Sequence, residues 1–213
     1  MFKTIFEKIN KALFLIKISK FNIFENQKYK KKNNLNKLKK TLENKKIALV
    51  GNSPKLLKKK NNIDEFDIVI RINLLPLKKH QKYVGKRCDI MMMSSGTTKL
   101  LEENYIKVYF SDKNSYIAKY GKGEIYTFPH KYHKYLTKKI NARPTAGLMS
   151  IYLLTRLIKN PKITLFGFDH TPTSWYVNEF KTNISSSRHN LISEKKLFLD
   201  FCKKYKGINY SNL

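Results

Sequence analysis

Short, unbroken apolar runs recur between residues 47 and 168, and they limit what this chain can build more than any other feature. Ile47-Ala48-Leu49-Val50-Gly51 is the first, and Asp67-Ile68-Val69-Ile70-Arg71-Ile72 the second. Cys88-Asp89-Ile90-Met91-Met92-Met93, Ile106-Lys107-Val108-Tyr109-Phe110 and Ile163-Thr164-Leu165-Phe166-Gly167-Phe168 follow. Runs of this length, with no polar face of their own, read as strands covered on both sides. Helical patterns stand among them, one opening at Pro144 and running through Leu157, another over residues 190–204. The alternation predicts an α/β fold: a Rossmann-like, mostly parallel sheet flanked by helices. Sheets of this kind bind ligands beyond the carboxyl ends of their strands. No internal repeat is present.

The chain has 213 residues, 41% of them hydrophobic and 13% aromatic, which is one ordinary domain with a sizeable core. Residues 1–24 read as a basic amphipathic helix, with Phe2, Ile5, Phe6, Ile9, Leu13 and Ile16 on one face. Such a helix packs on its own domain or lies on an anionic membrane surface. Residues 27–46 hold Lys28, Lys30, Lys31, Lys32, Lys37, Lys39 and Lys40 and read as a linker too polar to pack. The expected division is therefore 1–46, a basic N-terminal helix and linker, and 47–213, a catalytic domain.

The formal net charge is +29. A chain rich in Lys, Asn and Ile carries much of this on solvated surface; anionic membranes, anionic substrates and nucleic acid are the partners such a charge favours. Lysine far outnumbers arginine, and no zinc-finger or aromatic RNA-binding pattern accompanies the basic runs, which disfavours nucleic acid. No run reaches the roughly 18 apolar residues that span a bilayer, and lysines interrupt the N-terminal apolar stretch, unlike a signal peptide. Cys88 and Cys202 form no CxxC pair, which fits a reducing compartment. The expected location is the cytoplasm, peripheral to the inner membrane surface.

Several positions fall where a parallel sheet would hold a ligand. Gly51-Asn52-Ser53-Pro54 follows the first strand, and serves equally as a plain turn or as close backbone approach with two hydrogen-bonding side chains. Arg71 and Asn73 stand at the end of the second strand, as a surface pair or as ligand contacts. Arg143-Pro144-Thr145-Ala146-Gly147 opens a helix, with proline suited to its first turn. Free N–H groups, the helix dipole and the Thr145 hydroxyl would suit an anion there. Gly147 weakens that helix, and a closely approaching ligand is one reason to keep it. Asp169 follows Gly167 at a strand end; then come Trp175-Tyr176 and Arg188-His189, five residues before Glu194. Histidine is either a polar neighbour of the helix cap or the side chain best matched to taking a hydroxyl proton near neutral pH.

Taken in order, these segments resemble the motifs of the sialyltransferases of glycosyltransferase family 29. IALVGNSP, IDEFDIVIRIN and VGKRCDI look like its long donor-binding motif, RPTAGL with ITLFGFD its short motif, and His189–Glu194 its very short H-x4-E motif. Trp175-Tyr176 stands where the remaining small motif belongs. The resemblance covers roughly residues 47–205. It implies a GT-A-like variant of the Rossmann sheet, a CMP-sialic acid donor as substrate, inversion at the anomeric carbon, no cofactor and no metal. Asn52 and Asn73 would meet the nucleotide phosphate and ribose, and Thr145, Ala146 and Gly147 would line the phosphate and sugar. Gly167 would let the nucleotide approach the sheet edge, His189 would be the general base, and Glu194 would support its loop and helix.

The departures from that pattern are specific. Thr145-Ala146-Gly147 replaces the usual Ser-Thr-Gly, so one hydroxyl is missing. The cysteines of secretory-pathway members are absent from Ile47-Ala48 and from the neighbourhood of Ile163, which fits a bacterial-type enzyme. No histidine stands beside Trp175-Tyr176, and His170 is a weak substitute. A metal-free reaction is chemically coherent, because CMP leaves as a single phosphate. A helix N-terminus, amide side chains and Arg143 could stabilise that phosphate, and no DxD motif is present. The expected acceptor is a glycan or glycolipid such as lipooligosaccharide or capsule. A transferase for Kdo, legionaminic or pseudaminic acid, and a non-catalytic polyanion- or membrane-binding protein, are the alternatives.

Overall fold

The computed structural model describes residues 35–94, 105–110, 124–170 and 189–210. The helix expected over residues 1–24, the early part of the linker, and Trp175, Tyr176 and Arg188 lie outside them. In chain order come α1 (Leu35–Leu42), β1 (Lys46–Val50), β2 (Ile68–Ile72), α2 (Gln81–Val84), β3 (Ile90–Met93), β4 (Ile106–Tyr109) and β5 (Ile125–Thr127). Then follow α3 (His130–Ile140), α4 (Ala146–Leu157), β6 (Lys162–Phe166), α5 (Leu191–Lys204) and β7 (Ile208–Tyr210). The described strands form a seven-stranded sheet in the order β5-β4-β3-β2-β1-β6-β7, and every pairing is parallel. The expected α/β class is the observed one, with two short edge strands, β5 and β7, added to the five read from sequence.

Period-2 alternation sorts the strand residues between two layers. Ile47, Leu49, Ile68, Ile70, Ile72, Ile90, Met92, Ile163 and Leu165 join the core beneath α1, α3, α4 and α5. Ala48, Val50, Val69 and Phe166 face the other way, onto Leu56, Ile63 and Val84. Helix α4 is buried continuously from Leu148 to Thr155, as its largely apolar sequence demands, and the Ser150 and Thr155 hydroxyls within that run donate to the Ala146 and Tyr152 carbonyls. Helix α3 has almost no apolar stripe in sequence; Leu136 and Ile140 are its buried residues.

Two expectations are corrected here. The linker does not reach residue 46: Leu35–Leu42 is a helix with Leu38 and Leu42 fully buried in the core. Two leucines four residues apart suffice to seat a short helix whose lysines all point outward. The packed body therefore begins by residue 35.

Arg71 is the second correction. It lies within β2 rather than after it, and alternation turns its side chain away from the helical layer that holds Ile70 and Ile72. The guanidinium is 1% exposed and donates to the Arg87 carbonyl at 2.6 Å and the Val84 carbonyl at 2.8 Å, with Asp64 4.0 Å away. Asp64 also accepts the Lys86 and Arg87 backbone N–H groups, at 2.8 and 3.0 Å. Arg71 thus ties the turn before β2 to the loop before β3.

Candidate active site

The chain runs β1 to β5 outward in one direction, then returns to place β6 and β7 on the far side of β1. The loops after β1 and β6 leave in divergent directions, and a crevice opens at such a switch point. A cavity of about 350 Å³ lies there.

Its floor is set by two glycines. The Gly51 N–H donates to the Phe166 carbonyl at 2.7 Å, and a Cβ on Gly51 would come within 2.5 Å of the Gly167 carbonyl oxygen. Gly167 has φ +70°, and a Cβ there would stand 2.7 Å from Leu56 Cδ1. Both glycines are thus required by the protein's own contacts, with no ligand invoked. Beside them the Ser53 hydroxyl donates to Asp169 Oδ2 at 2.6 Å and accepts from Lys55 N at 3.3 Å, pinning the β1 loop to the β6 loop.

Asn52 and Asn73 line the cavity and are 9% and 5% exposed. Asn52 Nδ2 donates to the Ile72 carbonyl at 2.9 Å, leaving Oδ1 as an acceptor. Asn73 sits at φ +62°, a left-handed conformation asparagine tolerates. Its Oδ1 accepts the Ser94 N–H at 2.8 Å, which leaves the Nδ2 donors for the cavity.

Helix α4 points its N-terminus into this space. Thr145, not Pro144, is the N-cap, with ψ 162° and its Oγ1 accepting Leu148 N at 3.3 Å; proline stands one residue outside the helix rather than in its first turn. Met149 N is held by the Thr145 carbonyl at 3.1 Å. Ala146 and Gly147 keep N–H groups with no intrahelical acceptor, as the first residues of a helix must. A Cβ on Gly147 would lie 3.1 Å from the Phe168 ring, so packing on Phe168 accounts for this glycine.

Thr145 itself is fully engaged. Its backbone N–H donates to Glu194 Oε2 at 3.0 Å and its hydroxyl to Glu194 Oε1. Glu194 is 2% exposed. Burial pushes its carboxyl above the ordinary range, while the two Thr145 bonds and nearby His189 pull it back. Helix α5 is capped by Asn190, whose Oδ1 accepts Ser193 N at 3.1 Å. Just before that cap, His189 Nδ1 lies 2.7 Å from the Arg143 carbonyl oxygen. A carbonyl only accepts, so Nδ1 carries the proton, and in the neutral ring Nε2 keeps its lone pair.

The cavity therefore gathers Gly51, Asn52, Ser53, Asn73, Arg143, Thr145, Ala146, Gly147, Gly167, His189 and Glu194, and leaves out Arg71. It also takes in two residues the sequence reading passed over, and His170, named there only as a weak substitute. Ser94 and Phe110 line it at the ends of β3 and β4; the rule that ligands lie past strand ends, applied to every strand, would have found both. His170 lines it as well, at φ +50°, edge-on to Phe198 at 4.6 Å, with Nε2 buried and unpartnered. Burial and nearby Lys195 hold that ring below the usual imidazole range, against the opposing pull of Asp169. Among the described residues no group of three His, Cys, Asp or Glu side chains is arranged to hold a metal ion, and no helix is long and apolar enough to cross a membrane.

Sheet and cavity together define a Rossmann-like α/β enzyme with its site at the switch point. The sequence profile of glycosyltransferase family 29 (sialyltransferase) matches residues 4–128, more than half of the chain. The chain belongs to that family. The match starts far ahead of residue 47, where the resemblance read from motifs begins. Sialyltransferase-like protein 2 of Arabidopsis thaliana is 36% identical over 58 residues, 26% of this chain and 13% of that protein's length. The fold is similar to a mammalian sialyltransferase crystal structure, with a TM-score of 0.59 at 17% identity, covering 78% of this chain and 68% of the other. A mammalian sialyltransferase in complex with Gal-beta-1-3GalNAc-ortho-nitrophenol gives a TM-score of 0.56 at 15% identity, covering 77% and 68%.

Proposed function

We propose that the chain transfers sialic acid from CMP-sialic acid to a glycan hydroxyl, with inversion and without a metal. The observation that carries this reading is that one cavity holds both an oriented imidazole and an anion-suited helix end. His189 Nε2 takes the proton of the acceptor hydroxyl as that oxygen bonds to the anomeric carbon. The bond from that carbon to the phosphate oxygen breaks, and CMP leaves with the electron pair. The Ala146 and Gly147 N–H groups, with the α4 dipole behind them, receive the phosphate. Asn73 Nδ2 adds a neutral donor beside them, and Asn52 Oδ1 suits a ribose hydroxyl. Arg143 contributes a positive charge at the rim. Thr145 and Glu194 act behind this first layer: they hold the end of α4 against the start of α5, and so fix the distance between phosphate cradle and base.

The missing cysteines in β1 and near Ile163, with both remaining thiols free, support an enzyme of a reducing compartment. The absence of DxD supports metal independence. Purified full-length protein with CMP-sialic acid in excess EDTA should release CMP at nearly its untreated rate. CMP should raise its melting temperature more than AMP or UMP. Loss of CMP release on chelation, restored by magnesium or manganese, would overturn the metal-free mechanism; equal shifts with all three nucleotides would overturn the donor.

A further inference from the structure

Beside the donor cavity an open groove of about 600 Å³ runs along α5, lined by His170, Leu191, Ile192, Lys195, Lys196 and Leu199. It shares His170 and Leu191 with the cavity, so the two spaces adjoin at the start of α5, two residues from His189. Leu191, Lys195 and Leu199 recur at i, i+4 and i+8, and Ile192 and Lys196 form the parallel row. The groove thus follows the helix for about 12 Å at 1.5 Å per residue.

Its chemistry is uneven. No carboxylate lines it. Of the acids close by, Glu194 is bound to Thr145 and Asp169 to Ser53, and the exposed Asp200, one turn on from Lys196, forms no ion pair among the described residues. Lys195 and Lys196 are exposed, and neither forms an ion pair among the described residues. They stand in the early turns of α5, where the dipole favours anions over ammonium groups. The Leu191 and Ile192 N–H groups at the helix start add further donors, since Asn190 satisfies only Ser193 N and Glu194 N. Ile192 is 86% exposed, an apolar surface beside two cations. Two exposed lysines therefore flank an exposed apolar side chain within two turns of His189.

Resting on the sialyltransferase reading, we infer that this groove is the acceptor site and that it selects glycans carrying an anionic group, phosphate or carboxylate, held by Lys195 and Lys196. The acceptor hydroxyl then reaches His189 from the α5 side. A sugar ring's apolar face packs on Leu191 and Ile192.

The test uses full-length protein, CMP-sialic acid and three acceptors: an aryl β-galactoside disaccharide, the same compound bearing a phosphate monoester, and the same bearing a hexuronic acid. Each transfer rate is divided by the same preparation's rate of CMP release in water, so that losses in folding or donor binding cancel. The anionic acceptors should show a KM roughly tenfold below the neutral one at low salt, as two exposed ion pairs allow. K195Q/K196Q should close that gap, and so should high salt. A gain for one anion alone assigns the groove to that group. CMP release with equal use of all three acceptors overturns this inference and leaves the donor chemistry standing. No CMP release at all overturns both.

Discussion

Thr145 spends both of its polar groups on one residue: backbone N–H and hydroxyl end on the two carboxylate oxygens of Glu194, 49 positions further along the chain. Glu194 is buried and Thr145 half-buried, and the contact joins the N-terminal ends of α4 and α5. Thr145→Val leaves one Glu194 oxygen without a donor and removes the α4 cap. It should lower stability by about 2 kcal/mol and raise the donor KM, and Thr145→Ser should restore both. Urea unfolding and donor kinetics on the two variants check this. Weakened donor binding at full stability would instead make Thr145 a direct ligand contact.

His189 has one nitrogen committed to the Arg143 carbonyl and one available. His189→Ala should lower transfer by roughly two to four orders of magnitude, with CMP affinity nearly unchanged. Single-turnover kinetics beside a CMP titration separates these quantities. A variant keeping more than about a tenth of wild-type turnover, with chemistry rate-limiting, would remove His189 as the base.

For Arg71 the expectation is a stability defect without a binding defect. Arg71→Met strands two carbonyls that now accept its guanidinium and should cost about 2–4 kcal/mol. The folded fraction should bind CMP as the wild type does. Reduced CMP affinity at full stability would put Arg71 back among the ligand contacts.

Most of the site was legible because strand ends and helix starts carry it, and both leave marks in sequence: a glycine after an apolar run, a proline and threonine before another. Arg71 was read as a ligand contact because its place next to the strand end was weighed without the alternation that turns it onto Val84 and Arg87, away from the cavity. Helix α1 was missed because Leu38 and Leu42 are outnumbered by lysines, though burial of a helix depends on which positions are apolar rather than on how many. Ser94 and Phe110 were passed over, and His170 was rated a weak substitute, because nothing local distinguishes them; the parallel register of five strands brings them together. Gly147 and Gly167 were read toward a ligand, whereas Phe168 and Leu56 fill the space a Cβ would need.

Removing residues 1–33 spares α1 and serves as the reference truncation. Removing residues 1–46 also strips Leu38 and Leu42 from the core, at about 3–6 kcal/mol for two buried leucines. Calorimetry on both truncations tests where the packed body starts; equal stability would restore the linker reading. Sedimentation with anionic and neutral liposomes tests the N-terminal segment as a membrane anchor. Loss of anionic binding in both truncations supports the anchor, and unchanged binding removes it.

His170 gives a pH signature with a definite sign. Its folded-state pKa is lowered from 6.5, so between that lowered value and 6.5 the unfolded state binds more protons. Stability from this group is complete above 6.5 and is lost as pH falls through the window. Glu194 acts oppositely: its folded-state pKa is raised from 4.5, so falling pH through its window adds stability. His170→Asn tolerates the left-handed backbone and cannot titrate. The difference in urea midpoints between wild type and variant, followed from pH 7.5 downward, isolates the histidine. The wild type should lose more stability on the acid side of 6.5 than the variant; parallel curves would contradict the buried, unpartnered ring.

The contact between the loops after β1 and β6 also sets when the site can come into being. Ser53 and Asp169 are 116 positions apart, and His189 emerges later still. During synthesis the first five strands can pair among themselves, yet β1 keeps a bare edge until β6 arrives, and such an edge invites pairing with other chains. Closing so long a loop is also slow. The nascent protein thus passes through a stage with most of its sheet built and no nucleotide site, in which ligand cannot rescue it and a chaperone can. Donor binding would stabilise only finished molecules, which makes the nucleotide a reporter of completed folding rather than a template for it.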